Sequence, residues 1–354
     1  MIRKIFLFVF LTFTIIWFAI AYTVKDNVVN LIKNSESDNI KISYENIKIS
    51  GYPINWKIII TQPKVKFIDH VNSKEFLSEN ITLSLDFSLK KVNLDTGNYI
   101  KEIENFGDKS LEYFVRSDEA IKGIVKLNKP LYKIAKDDNL KSITKSIQLN
   151  NKSLSVLNED KEIFNLKNLN FSLGKKNSQE SENISILLGL DYASLENYLN
   201  FKNATLDLVT SLNFVQGNNE SNTLKDFTIE RFIFICDNDA KVDLKGGMEF
   251  FTSKLPQGKL SFELENYHAI IDKLVPNNII LSKKIIKAII AKAVSANQPE
   301  LLPLALPAIN TDAVTTIEKV NFDIEFSDKG INIGSINLLE LQFGENKGEN
   351  PEAN

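Results

Sequence analysis

Apolar and polar positions alternate along most of this chain, and the places where they do not are equally informative. From Ile5 to Val24 the sequence IFLFVFLTFTIIWFAIAYTV holds 20 residues and no charge, with Arg3 and Lys4 before it and Lys25 and Asp26 after it. As a helix this stretch is ~30 Å long, the thickness of a bilayer's hydrocarbon core. It predicts a single membrane anchor. The two cations ahead of it hold the amino terminus on the cytoplasmic side, so residues 1–25 form stub and anchor and the rest lies across the membrane. A cleaved secretory signal is the rival expectation, because Ala19-Ile20-Ala21 offers the small-x-small pattern of a cleavage site. Against it, Ile15, Ile16, Trp17 and Phe18 continue the helix into that site with no Gly or Pro to open it.

Val24 to Lys33 extends the helix for two turns, and the polar run Asn34 to Asn39 then favours a turn, so residues 26–39 read as a linker. A β-rich domain spans 40–343. Ile40, Ile42 and Tyr44, then Ile47 and Ile49, alternate with polar residues as half-buried strands do. Gly51 and Pro53 interrupt them and Trp56, Ile58 and Ile60 resume the pattern, which predicts a structural corner at Gly51, Pro53 and Trp56. Ile81 to Leu89 alternates without a fault, and the phase slips by one at Lys90-Lys91. Between Tyr99 and Ile143 the pattern weakens: Ile100, Ile103 and Phe106 fit one helical face, and Ser117-Asp118-Glu119 resembles a helix start.

Strand signals return at 153–157, 163–173, 184–190 and 206–214, with turn residues between them, the pattern of a β-meander. In Phe227 to Ile235 the residues Phe232, Ile233, Phe234 and Ile235 are apolar on both sides, which predicts cover on both faces. Pro256-Gln257-Gly258 predicts a hairpin into Leu260, Phe262 and Leu264. A short helix over Ala269 to Leu274 and a longer one over Lys283 to Ala296 follow, the second with Ile286, Ile289, Ile290, Ala293 and Val294 as its apolar stripe. Pro299, Pro303 and Pro307 form an extended connector. Two strands joined at Ser327 to Gly330 close the domain, and residues 344–354 are a polar, disordered tail. The expected class is mainly β (α+β): a long curved antiparallel meander with one or two packed helices behind one membrane helix.

Composition narrows the function. With 354 residues, 43% hydrophobic and 25% charged, the chain can bury a large core. A net charge of -3 gives no basic face for nucleic acid. The single cysteine, Cys236, lies in the apolar run FIFIC, so no intrachain disulfide forms; a buried thiol and an exposed thiol that pairs between chains are the two readings. His70 and His268 are the only histidines and neither has metal-ligand spacing to another ligand. Phosphate loops, nucleophile elbows and metalloprotease motifs are lacking, and Asp237 and Asp239 fit a strand-ending turn. The expectation is a non-catalytic protein with no cofactor and no metal. What stands out is aromatic usage, with 23 Phe placed largely on strands. Phe232, Phe234, Ile235, Phe250 and Phe262 are the candidates for an apolar groove.

The corner Ser50-Gly51-Tyr52-Pro53 with Trp56, the run Gly247 to Leu260 leading into Asn266-Tyr267 and the helix after it, and the closing Gly330 to Ile336 pair resemble together one family. It is the bacterial envelope family catalogued as domain of unknown function 2125, seen mainly in alphaproteobacteria behind an uncleaved anchor. The resemblance implies a single-pass inner-membrane protein with its bulk in the periplasm, and it assigns no catalytic residue. The strand grammar is also similar, at the level of fold, to AsmA-like lipid-handling proteins, whose curved sheet offers an apolar groove. Two functions follow as expectations: binding or passing lipid along an apolar sheet face, or a structural module that contacts other envelope proteins.

Overall fold

The computed structural model describes residues 2–52, 55–69, 72–107, 109–159, 161–177, 181–190, 192–194, 203–216, 222–237, 240–251, 254–274, 287, 290, 319–334 and 336–337. Among them the chain is mainly antiparallel β with few helices. It divides into two compact units, residues 1–175 and 176–354.

The first unit begins with helix α1, Ile2–Asn34, so the residues expected as a linker are helical through Asn34. The reason lies in a stripe: Trp17, Ala21, Val24, Val28 and Leu31 recur four and three residues apart, which places them on one helix face. All five are buried, Val24 completely, in one core with Ile47, Trp56, Ile58, Ile60, Leu85 and Val92. Polar side chains fix the helix from its flank. Asn27 Nδ2 donates to the Leu131 carbonyl at 2.7 Å, and Asn34 Nδ2 donates to the carbonyls of Lys136 and Asp138 at 2.6 and 2.8 Å.

Under α1 lies a meander of seven long antiparallel passes. The first five are each broken midway into two strands: β1 Ile40–Ser43 with β2 Asn46–Ser50, β3 Lys57–Thr61 with β4 Lys64–Asp69, β5 Asn72–Leu77 with β6 Asn80–Leu85, β7 Lys91–Asp95 with β8 Tyr99–Phe106, and β9 Lys109–Arg116 with β10 Lys122–Leu127. Helix α2, Leu140–Ile143, precedes the last two, β11 Thr144–Asn158 and β12 Lys161–Asn177. Each pass pairs with the next on both sides of its break. Between breaks the ladder is bridged by single bonds, Glu45 N to Thr61 O at 3.0 Å and Gln62 N to Glu79 O at 2.8 Å. The parity of the apolar positions changes there, from Ile40 and Ile42 to Ile47 and Ile49, and from Ile58 and Ile60 to Val65 and Phe67. An extra residue at each break is what keeps an apolar set on one face when parity changes.

The second unit repeats the meander with β13 Ser181–Leu190, β14 Tyr192–Ser194, β15 Ala204–Gln216, β16 Asn222–Cys236, β17 Ala240–Phe251, β18 Lys254–Glu265, β19 Lys319–Ser327, β20 Gly330–Ile333 and β21 Ile336–Asn337. Helix α3, Tyr267–Leu274, follows β18 and contacts β17. Tyr267, Ile270 and Ile271 are its buried face.

Three local expectations change. The alternation from Ile81 to Leu89 is a strand only to Leu85. Asp86 Oδ1 accepts from the Lys90 and Lys91 amides at 3.1 and 3.0 Å and Leu89 has φ 55°, so the rest is a turn that leaves Phe87 88% exposed. Residues 99–127, expected to carry helical faces, are strands β8, β9 and β10, because pairing with β5, β7 and β11 on either side outweighs a weak helical period. Pro256-Gln257-Gly258 lies inside β18, with Gln257 opposite Glu249 and Gly258 opposite Met248, so it is paired strand and not the expected hairpin turn. The expected helix over 283–296 lies outside the described residues apart from Lys287 and Ile290, both helical, and so does the 344–354 tail.

A candidate apolar face and an aromatic corner

Register sorts the side chains of the second unit onto two faces. Directly opposed residues in an antiparallel ladder share a face, and their neighbours two residues away repeat it. One row reads Leu188, Leu208, Phe232, Leu244, Phe262 and Phe322 across six strands. The next reads Leu206, Phe234, Val242, Leu264 and Val320. The row on the other side places Ile229, Leu260 and Ile324 together, beside Gly246. At ~4.8 Å between strands, the six-strand row is ~24 Å wide. Phe262 and Phe322 stack with centroids 5.1 Å apart.

The opposite face carries charge. Ion pairs run Arg231 to Asp207 at 2.9 Å, Lys319 to Glu263 at 2.6 Å, Lys259 to Asp323 at 2.7 Å and Lys241 to Glu265 at 3.4 Å. The hydrogen bond from Lys319 holds the Glu263 carboxyl below its usual range, and Glu263 in turn raises the Lys319 ammonium. This face is a solvated one. Its ion pairs are half-exposed to exposed, so water and salt screen them and they add little to stability.

Burial on the apolar face is graded. Ala204, Cys236 and Ala240, at the end where α3 sits, are 5%, 0% and 1% exposed, and Leu264 and Val320 are also buried. Phe232, Phe234, Leu244, Phe262, Leu260 and Ile324 are only half-buried. Helix α3 is tied to that end by Lys273 Nζ, 3.0 Å from Asp237 Oδ2, while Asp237 Oδ1 accepts from the Asn203 amide at 3.0 Å. Asp237 is thus a turn and docking residue. Asp239 and His70 lie outside the described residues. His268, on α3, is held below its usual pKa by burial and by the nearby Lys287 charge. Among the described residues no three His, Cys, Asp or Glu side chains cluster as metal ligands.

Of the five groove candidates, the structure brings Phe232, Phe234 and Phe262 together on adjacent rows. Phe250 stands at the far end of the strand with its ring 6.0 Å from Phe227, which pairs with Leu212 and Met248 on the apolar face. Ile235 is not with them. It pairs with Thr205 and Lys241 on the charged face, as Ile233 does with Asp207 and Asp243. Leu244, Leu260, Phe322 and Ile324 complete the face without having been singled out. The alternation Val320, Phe322, Ile324, Phe326 was a readable signal, but which strands lay beside it was not.

In the first unit the corner joins β2 to β3. Gly51 has φ 92°, and a Cβ there would stand 1.4 Å from the Asn55 carbonyl oxygen, so only glycine fits. Trp56 is 7% exposed and stacks on Trp17 of α1 at 4.8 Å. Pro53 lies outside the described residues. Tyr52 packs its ring against Phe10, Phe13, Trp17 and Phe18, and its hydroxyl shares a 2.6 Å hydrogen bond with that of Thr14. Residues Phe10–Asn34 form a helix long and apolar enough to cross a membrane. Comparison with family models and with curated proteins found no match to this chain.

Proposed function

We propose that this chain is a non-catalytic envelope protein, anchored in the bacterial inner membrane by α1 with its bulk in the periplasm, that binds or passes lipid along the apolar face of its second unit. The observation that carries the reading is the division of one sheet into a charged face and an apolar face ~24 Å across, half-buried over five strands from Leu188 to Phe262 and buried at Phe322 on the sixth. Apolar faces of that extent on soluble units mark ligand, membrane or protein contacts. Acyl chains suit it chemically, since the rows through Phe232 and Phe234 carry no hydrogen-bonding side chain and no charge, and Thr210 in the Ile229 row spends its hydroxyl on the Thr228 carbonyl at 2.9 Å.

A second reading, a structural or protein-interaction module without a ligand, is favoured by the buried end of the same face and by Lys287, which reaches Asp272 of α3 at 2.9 Å. Native mass spectrometry of protein released from membranes without detergent distinguishes the two. Co-purified lipid that disappears in Phe232→Asp, with folding retained, supports the first; a lipid-free wild type supports the second.

A further inference from the structure

We infer that the Tyr52 corner enters the hydrocarbon of the leaflet from which the sheet emerges, as an aromatic wedge lying along α1. The inference rests on the membrane-anchor half of the proposed function and not on its lipid-binding half. The uncharged run Ile5 to Val24 and the docked stripe that starts at Trp17 overlap by eight residues. Val24 marks the end of the run, and Trp17 lies seven residues, ~10 Å, further in. Half a hydrocarbon core is ~15 Å. A helix that uses the whole run to cross therefore draws the Trp17–Trp56 stack into the leaflet, and Tyr52, which contacts Phe10 and Phe13, deeper still.

Two features suit that depth. At the levels where one side of α1 meets protein, the other side exposes Phe18 at 62% and Ile16 at 51%, side chains that water disfavours and acyl chains accept. The Tyr52 phenol is also satisfied inside the protein, bonded to Thr14, whose hydroxyl lies 2.8 Å from the Phe10 carbonyl and donates to it. An internally bonded phenol enters hydrocarbon without losing a partner, whereas the neighbouring Trp17 Nε1 has no hydrogen-bond partner among the described residues.

The chain's two tryptophans are this pair, so emission reports on this place alone. The full chain in phosphatidylcholine–phosphatidylglycerol vesicles is compared with acyl-brominated versions of the same lipids, in wild type and in Trp17→Phe, which leaves only Trp56 on the sheet side. The expected result is loss of most Trp56 emission with acyl-brominated lipid and little loss with aqueous iodide. Trp56 emission indifferent to brominated lipid overturns the wedge, and protein that does not bind vesicles overturns it together with the anchor. As a second measurement, Tyr52→Cys should resist a membrane-impermeant maleimide that labels Tyr132→Cys, placed beside Leu131 at the level of Asn27. Equal labelling of the two refutes the inference even where Trp17→Phe misfolds.

Discussion

The docking of α1 makes a sharp prediction at Leu31, in the stretch that reads from sequence as a linker. Leu31 is 3% exposed and sits at the end of the buried stripe. Leu31→Ala removes three buried carbons, ~2.4 kcal/mol at ~0.8 kcal/mol each, and leaves a cavity that raises the cost to about 3–4 kcal/mol. With a urea slope of about 1–3 kcal/mol per molar, the unfolding midpoint of the first unit falls by about 1–4 M. Trp17 and Trp56 both belong to this unit, so urea titration of the full chain in lipid nanodiscs, read by tryptophan emission, follows it selectively. Lys33→Ala, on the exposed side of the same helix, should change the midpoint by less than the equivalent of ~0.5 kcal/mol. If Leu31→Ala and Lys33→Ala unfold alike, residues 26–34 are a tether and the packed helix is wrong.

Other residues give independent checks. Gly246 has φ 136° and a Cβ there would stand 2.0 Å from the Lys259 carbonyl oxygen, so Gly246→Ala should cost about 2–6 kcal/mol through strain and overpacking, measurable as a lowered melting temperature. Glu75, largely buried between Lys64 and Lys66, is held below the usual glutamate range by their hydrogen bonds. A depressed folded pKa stabilises above the unfolded value, so this contribution should vanish as pH falls from the usual glutamate range through the folded value. Glu75→Gln should flatten that part of an acid-unfolding curve, and an unchanged curve would refute the assignment. Ile235→Thr on the charged face should cost under ~1 kcal/mol, whereas Phe234→Ala on the apolar face should cost more in thermal unfolding. Equal costs would mean the two faces are misassigned.

Much of the architecture was readable because alternation survives wherever one face is wet. Val320 to Phe326 was legible for that reason, as was α3, whose Ile270 and Ile271 sit on a helical face. The single strand expected from Ile331 to Leu339 instead ends at Ile333, and β21 folds back on it past Gly334. Pairing partners were not legible, since register depends on contacts distant in sequence. That is why Phe322 and Ile324 were missed and why Ile235 was grouped with Phe234, its neighbour in sequence and its opposite in space. Phe87 illustrates a different failure: Asp86 fits the polar phase of a strand and also closes a turn on Lys90 and Lys91, and the local hydrogen bonds decide. The stripe Trp17, Ala21, Val24, Val28, Leu31 was hidden because its first half lies in a run apolar on every side. Only the second half, where Lys25, Asp26 and Lys33 mark the wet face, carried a visible period.

The central claim is that the apolar face of the second unit carries acyl chains, and the most direct measurement is lipid co-purification across a matched pair of variants. Phe232→Glu places a charge in the middle of the Leu208, Leu244, Phe262 row, and Ile235→Glu places the same charge three residues on, against Thr205 and Lys241. Native mass spectrometry of detergent-free protein should find lipid on wild type and on Ile235→Glu and none on folded Phe232→Glu. Lipid absent from wild type, or retained equally by both variants, would contradict the account.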